Sequence, residues 1–216
     1  MKVLSIEFGQ ATWLVDIALP RGSLYLPEVI PDLTDRYGFV AFPKITEILE
    51  PAPSIVFQHG KFENSVIRKF SVFNDGFTAE SQAGNDHAVL FLENFMHWAE
   101  NQLEVSILEI SEPKIYYDSQ MVIQLDVDLS SKLEFISFVS DSIGKYASDY
   151  GLSYQGYEAS GISLSPDQSD VKGYQYSPFR IERRVGQPFR KNIYYSTAPL
   201  KTSDHKELLE QIERTI

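Results

Sequence analysis

Residues 54–82 read SIVFQHGKFENSVIRKFSVFNDGFTAESQ. Three runs, SIVFQHGKF (54–62), SVIRKFSVF (65–73) and FTAESQ (77–82), are separated by short polar breaks. Their β-branched and aromatic residues suit a pleated, half-buried surface. Asn74-Asp75-Gly76 is the strongest turn signal in the chain, because these residue types tolerate the positive φ of a tight hairpin turn. Three strands joined by turns and no helix pair as an antiparallel meander.

The meander sets the fold class, and its flanks extend it. Residues 2–8 and 12–19 alternate apolar and polar positions and read as two strands, a hairpin through Gly9-Gln10-Ala11. Residues 27–37 read as a helix ending at Gly38, with Pro31 pushing its start later. A second helix is expected over 87–103, with Leu92, Phe95, Met96, Ala99 and Leu103 forming its buried stripe and Asn85 or Asp86 its cap. Phe91 and Trp98 lie beside that stripe, a pattern that suits burial on two sides or a docking face. Residues 114–128 read as a long strand. Ser131 and Glu134 form a capping box for a helix to about 150, with Leu133, Ile136, Ser140, Ile143, Ala147 and Tyr150 on one face and Gly151 as its stop. Residues 152–165 read as extended and 166–177 as a loop. Two strands, 178–185 and 189–196, then flank the turn VGQP, and a terminal helix capped at Asp204 turns Leu208, Leu209, Ile212 and Ile216 inward.

Runs of strands with interspersed helices give an α+β fold, mostly antiparallel sheet with three to four helices packed on it. No Pro/Gly/Ser-rich linker splits the chain. The expected organisation is a single domain over 1–216, or two fused halves meeting near 104–113.

Composition narrows the function classes. The 216 residues carry a formal net charge of -11 and contain no cysteine. Disulfides, thiol nucleophiles and cysteine-based metal sites are thereby excluded. The N-terminal residues lack the pattern of a signal peptide, and no run of about 18 apolar residues would span a membrane. A cytoplasmic location without membrane contact is expected. Neither a P-loop nor a GxGxxG fingerprint nor a GxSxG elbow occurs, so no cofactor is expected. The four histidines, His59, His87, His97 and His205, show no metal-ligand spacing and read as surface or helix-terminal residues.

Two features carry candidate chemistry. In QLDVDLS, Asp126 and Asp128 share one strand face, a weak candidate pair for Mg²⁺. A solvated face, or capping of the following helix, is the simpler reading. The second feature is FRIERRVGQPFRK, residues 179–191, where five of thirteen residues are Arg or Lys. Residues 1–178 carry 11 Lys/Arg against 25 Asp/Glu, whereas residues 179–216 carry 8 against 5. Strand alternation places Phe179, Ile181, Arg183 and Val185 inward, with Arg183 near the core edge. It turns Arg180 and Arg184, and on the return strand Arg190, Asn192 and Tyr194, outward as a polar face. Arginine forms planar bidentate contacts to carboxylate or phosphate and stacks on aromatic rings.

Three readings of this hairpin compete: balancing the chain's own acid, contacting a protein, or contacting phosphate or nucleic acid. The acidic bulk disfavours broad DNA binding. The function expected is that of a non-enzymatic protein-interaction subunit, with a protein partner or a homo-oligomer at the hairpin. The alternatives are a nucleic-acid or nucleotide-binding module using the same residues and, behind it, a divalent-metal enzyme at Asp126 and Asp128.

Overall fold

The computed structural model describes residues 1–15, 17–18, 26–43, 54–73, 75–107, 114–129, 134–151, 158–167, 169 and 175–215. The fold is α+β, with antiparallel sheet and four α-helices among these residues. The chain forms two compact units. The larger comprises residues 6–120 and 199–202; the smaller comprises 1–5, 121–198 and 203–216. The changeover from one to the other falls at 120/121, and the chain changes unit again at both ends.

In the larger unit the meander forms as its pattern predicts. Strands β3 (Ile55–Phe62), β4 (Ser65–Phe73) and β5 (Gly76–Ser81) pair antiparallel in order, and β5 pairs antiparallel with β1 (Lys2–Leu14) on its other side. Phe73 pairs with Gly76, which closes the second hairpin over two residues. Asn74 lies outside the described residues. Strand β7 (Lys114–Gln124) borders β1, while β2 (Ile17–Ala18) and β6 (Ser106–Ile107) form a separate short ladder.

Helices α1 (Leu26–Tyr37) and α2 (Asn85–Leu103) supply the rest of this unit. Helix α1 ends before Gly38 and holds Pro31 inside rather than ahead of it. The core is aromatic: Phe70 lies 5.1 Å from Phe91 and 4.8 Å from Phe95, ring centre to ring centre, with Phe57 and Phe77 stacked beside it. Edge-to-face pairs of this kind add about 0.5–1.5 kcal/mol each beyond the area they bury. Phe91 is fully buried and Trp98 packs against the same cluster, so the wide apolar face of α2 is core. Tyr37 Oη donates to Asn94 Oδ1 at 2.9 Å, tying α1 to α2.

The expected turn at Gly9 does not form; β1 runs straight through it. A Cβ on Gly9 would lie 2.0 Å from the Asn85 amide nitrogen. The glycine therefore permits a close backbone approach inside a strand rather than a bend. Nor does Asn85 cap α2, a place taken by Gly84. Instead the fully buried Asn85 side chain accepts from the Thr202 amide at 2.8 Å and donates to the carbonyls of Leu200 (2.8 Å) and Asp118 (3.2 Å).

In the smaller unit the strand order is β7, β10 (Ile193–Ala198), β9 (Phe179–Arg183), β8 (Gly161–Leu164). Helix α4 (Thr202–Thr215) lays His205, Leu209 and Ile212 along one side, i, i+4 and i+7. Leu209 joins Met121, Ile123, Leu125, Leu129, Ile181 and Tyr194 in a second core. The expected outer pairs Lys206–Glu210 and Glu210–Arg214 are present at 4.0 and 3.5 Å. Helix α3 (Glu134–Asp149) holds Ile143 and Ala147 half-buried, but Tyr150 follows the helix and is 73% exposed, contrary to its expected inward place. Ser131 of the expected capping box, with Lys132 and Leu133, lies outside the described residues.

Substituting Gly9 with Ala separates the two roles of that residue. A turn position of ordinary conformation would tolerate alanine. The close approach predicts a loss of about 1–3 kcal/mol, read as a lowered midpoint in urea unfolding.

Candidate functional site

The basic hairpin is built on one buried arginine. Strands β9 and β10 pair Tyr194 with Arg183, Tyr195 with Glu182, Ser196 with Ile181 and Thr197 with Arg180. Directly opposed residues share a face. The inner face is therefore Ile181, Arg183, Tyr194 and Ser196, and the outer face is Arg180, Glu182 and Tyr195. This corrects the expected outward place of Tyr194, which is buried at 1% exposure. The error has a local cause. Residues 189–191 do not begin the return strand; they form a 3₁₀ turn, followed by Asn192 in the left-handed region at φ 50°. That insertion shifts the parity of β10 by one.

Arg183 points inward, and its side chain is only 4% exposed. Its Nη1 donates to the Phe189 carbonyl at 2.6 Å, and its Nε donates to the Ala159 carbonyl at 3.4 Å. Nη2 meets Asp128 Oδ1 at 2.8 Å and Glu158 Oε2 at 3.3 Å. The guanidinium also lies 4.4 Å from the centre of the Phe189 ring and 5.2 Å from that of Tyr194. Tyr194 Oη accepts from the Leu129 amide at 3.3 Å and donates to Asp128 Oδ1 at 3.4 Å. Burial raises the Tyr194 pKa above its ordinary value and keeps that proton in place. Arg183 thus satisfies its charge within the smaller unit and ties down the connection between the strands.

The outward arginines are arranged around this tie. Arg180 is exposed on β9, and Arg190 is exposed on the 3₁₀ turn. Arg184 is half-buried, its backbone amide donates to the Ile193 carbonyl at 2.9 Å, and its guanidinium lies 5.9 Å from the Tyr195 ring centre. Glu182, Arg183, Arg184, Val185 and Tyr195 line an open cleft of about 340 Å³. Val185 at the tip is 95% exposed and Phe189 41%. Asn192 is half-buried, and its left-handed backbone starts β10 while its carbonyl accepts from the Leu125 amide at 3.0 Å.

Asp126 and Asp128 do not share a strand face, because β7 ends at Gln124. Asp128 turns to Arg183. The side chain of Asp126 meets the Met1 amino group at 3.3 Å, and its amide donates to Glu213 at 2.7 Å. The two carboxylates serve different partners, and no group of three or more His, Asp or Glu side chains with metal-holding geometry occurs among the described residues.

One histidine, expected at the surface or at a helix end, lies in the first turn of the terminal helix but is not at the surface. His205 is fully buried, with Nε2 2.9 Å from the Ser196 hydroxyl, which itself donates to the Arg180 carbonyl at 2.8 Å. The i, i+4, i+7 spacing of His205 with Leu209 and Ile212 is the sequence signal that marks it as inward. Burial lowers its pKa from 6.5 to about 4.

No family model matches the chain, and no curated protein matches it. Among solved structures, one described as Methanococcus jannaschii TBP aligns over 98% of this chain and 96% of that one, with a TM-score of 0.47 and 15% identical residues. A likeness at that level assigns neither a family nor a function. No helix among the described residues is long and apolar enough to cross a membrane.

Two outcomes test the site's energetics. Arg183→Ala should cost about 3 kcal/mol, because it strips buried packing and several hydrogen bonds. Asp128→Ala should cost only about 1 kcal/mol, since Glu158 still faces the guanidinium. Urea unfolding of the two variants reads the difference. For His205 the folded pKa lies below the unfolded one, so protons favour the unfolded chain. The His205 contribution to stability should fall as pH drops from about 6.5 towards about 4 and change no further below that, by about 3 kcal/mol in all. The slope of unfolding free energy against pH in that window should flatten in His205→Gln.

Proposed function

We propose that this protein acts by binding another protein, its own second copy included, through the β9–β10 hairpin. The observation that carries the reading is the inward Arg183. By binding the Phe189 carbonyl and stacking on its ring, it orders the connection over 184–192. Arg184, Arg190, Val185 and Phe189 are therefore presented on a tip that has little conformational freedom left to lose on binding. Arginine and aromatic side chains around an exposed apolar tip are the composition of an interface centre. The cations suit a partner with an acidic surface, and they add association rate and orientation more than affinity.

The alternative, a phosphate-reading surface for nucleic acid, uses the same arginines. It is less favoured because Glu182 lies on the outer face with Arg180 and the chain is acidic overall. The test uses the full chain, tagged, against Arg184→Ala/Arg190→Ala. A protein recovered with the wild type is purified and recombined with it. The reading expects a complex that survives moderate salt and weakens about tenfold or more in the variant. A mixed oligonucleotide pool bound by the wild type at low salt, released as salt rises and ignored by the variant, would support the nucleic-acid reading instead.

A further inference from the structure

Strand β8 stands at the end of the sheet order, and among the described residues it pairs on one side only, with β9. In an antiparallel ladder, alternate residues turn both backbone groups towards the same neighbour. The Arg183 amide donates to the Ser160 carbonyl at 2.7 Å. Ser160, Ile162 and Leu164 therefore turn their backbone groups to β9, and Gly161 and Ser163 turn theirs to the outer edge. Natural proteins usually blunt such an edge with charge, proline or a bulge. This strand reads Gly-Ile-Ser-Leu, without a charge, and Leu164 is 62% exposed.

We infer that β8 pairs antiparallel with β8 of a second copy of this chain, about a twofold axis at Ile162. This edge is a surface separate from the hairpin tip, and the inference goes beyond the reading above. The register follows from the side chains. With Ile162 opposite Ile162 of the second copy, Gly161 meets Ser163 across the axis, and their outward N–H and C=O groups exchange hydrogen bonds. The two isoleucines meet on the inner face.

The outer face then selects the partner by charge. Arg180 is opposed to Ser163, and Glu182 to Gly161. Each row across the dimer reads Arg180, Ser163, Gly161 of the second copy, Glu182 of the second copy. Its charged ends are three strand spacings apart, about 14 Å. An extended arginine and glutamate meet across that span only if the residues between them are small, as Ser163 and Gly161 are. Gly161 is held small for a separate reason: a Cβ there would lie 2.5 Å from the Ile181 carbonyl oxygen. The next register of the same parity, Ser163 on Ser163, would instead put Arg180 at both ends of one row, at the same span, and is opposed by like charge. The row occurs twice by symmetry, so one favourable pair becomes two.

The test is the mass of the full chain by light scattering over a concentration series. Wild type is expected at twice the monomer mass at high concentration. Ser163→Pro removes an amide that β9 does not use and should give a monomer with an unchanged melting curve. Arg180→Glu should raise the dimer dissociation constant about tenfold, and Arg180→Glu/Glu182→Arg should restore it. The charge pair decides the matter even if the proline variant does not fold. A wild type that stays monomeric, or a dimer indifferent to both the proline and the charge reversal, overturns the pairing. Arg184→Ala/Arg190→Ala should keep the dimer. If it loses the dimer while Ser163→Pro keeps it, edge pairing fails and the tip reading stands.

Discussion

The smaller unit depends on the buried guanidinium of Arg183. A cation this deep is costly unless its donors are matched, and here its donors reach two carboxylates and two carbonyls while its faces lie against Phe189 and Tyr194. Because those partners come from residues 128, 158–159, 189 and 194, one side chain gathers four separated segments. The outward display of Arg184, Arg190 and Val185 is the consequence, since the connection has no buried side chain of its own between 184 and 192.

Charge divides between the two units. Residues of the larger unit include 8 Lys/Arg against 17 Asp/Glu, and those of the smaller unit 11 against 13. The acidic character that the whole chain shows thus belongs mostly to the larger unit. The smaller unit is near balance and keeps four of its five arginines on one hairpin.

Much of the architecture was legible in the sequence. Period-two alternation with a turn signal marked β3, β4 and β5, and the stripe of Leu92, Phe95, Met96 and Ala99 marked α2. What failed had tertiary causes. Gly9 looks like a turn because glycine permits one, but its lack of a side chain is used against Asn85 from elsewhere in the chain. Asn85 looks like a cap because its type caps helices, yet two of its partners lie more than a hundred residues away. At the hairpin, the cluster of arginines was visible, but its faces were not. A single 3₁₀ turn at Phe189–Lys191 reverses the parity of everything after it, and no local pattern announces that turn. Tyr194 consequently moved from the surface to the core, and Arg183 became the organiser rather than a residue at the core edge.

The central claim is that Arg183 orders the tip over 184–192. Amide hydrogen exchange over 184–192 tests it most directly. The amides of Arg184, Gln187, Lys191 and Asn192 all donate to backbone carbonyls. They should exchange slowly in the wild type and lose protection in Arg183→Met, while Tyr194 and Ser196 in β10 stay protected. Fast exchange across 184–192 in the wild type, or protection unchanged in the variant, would contradict it.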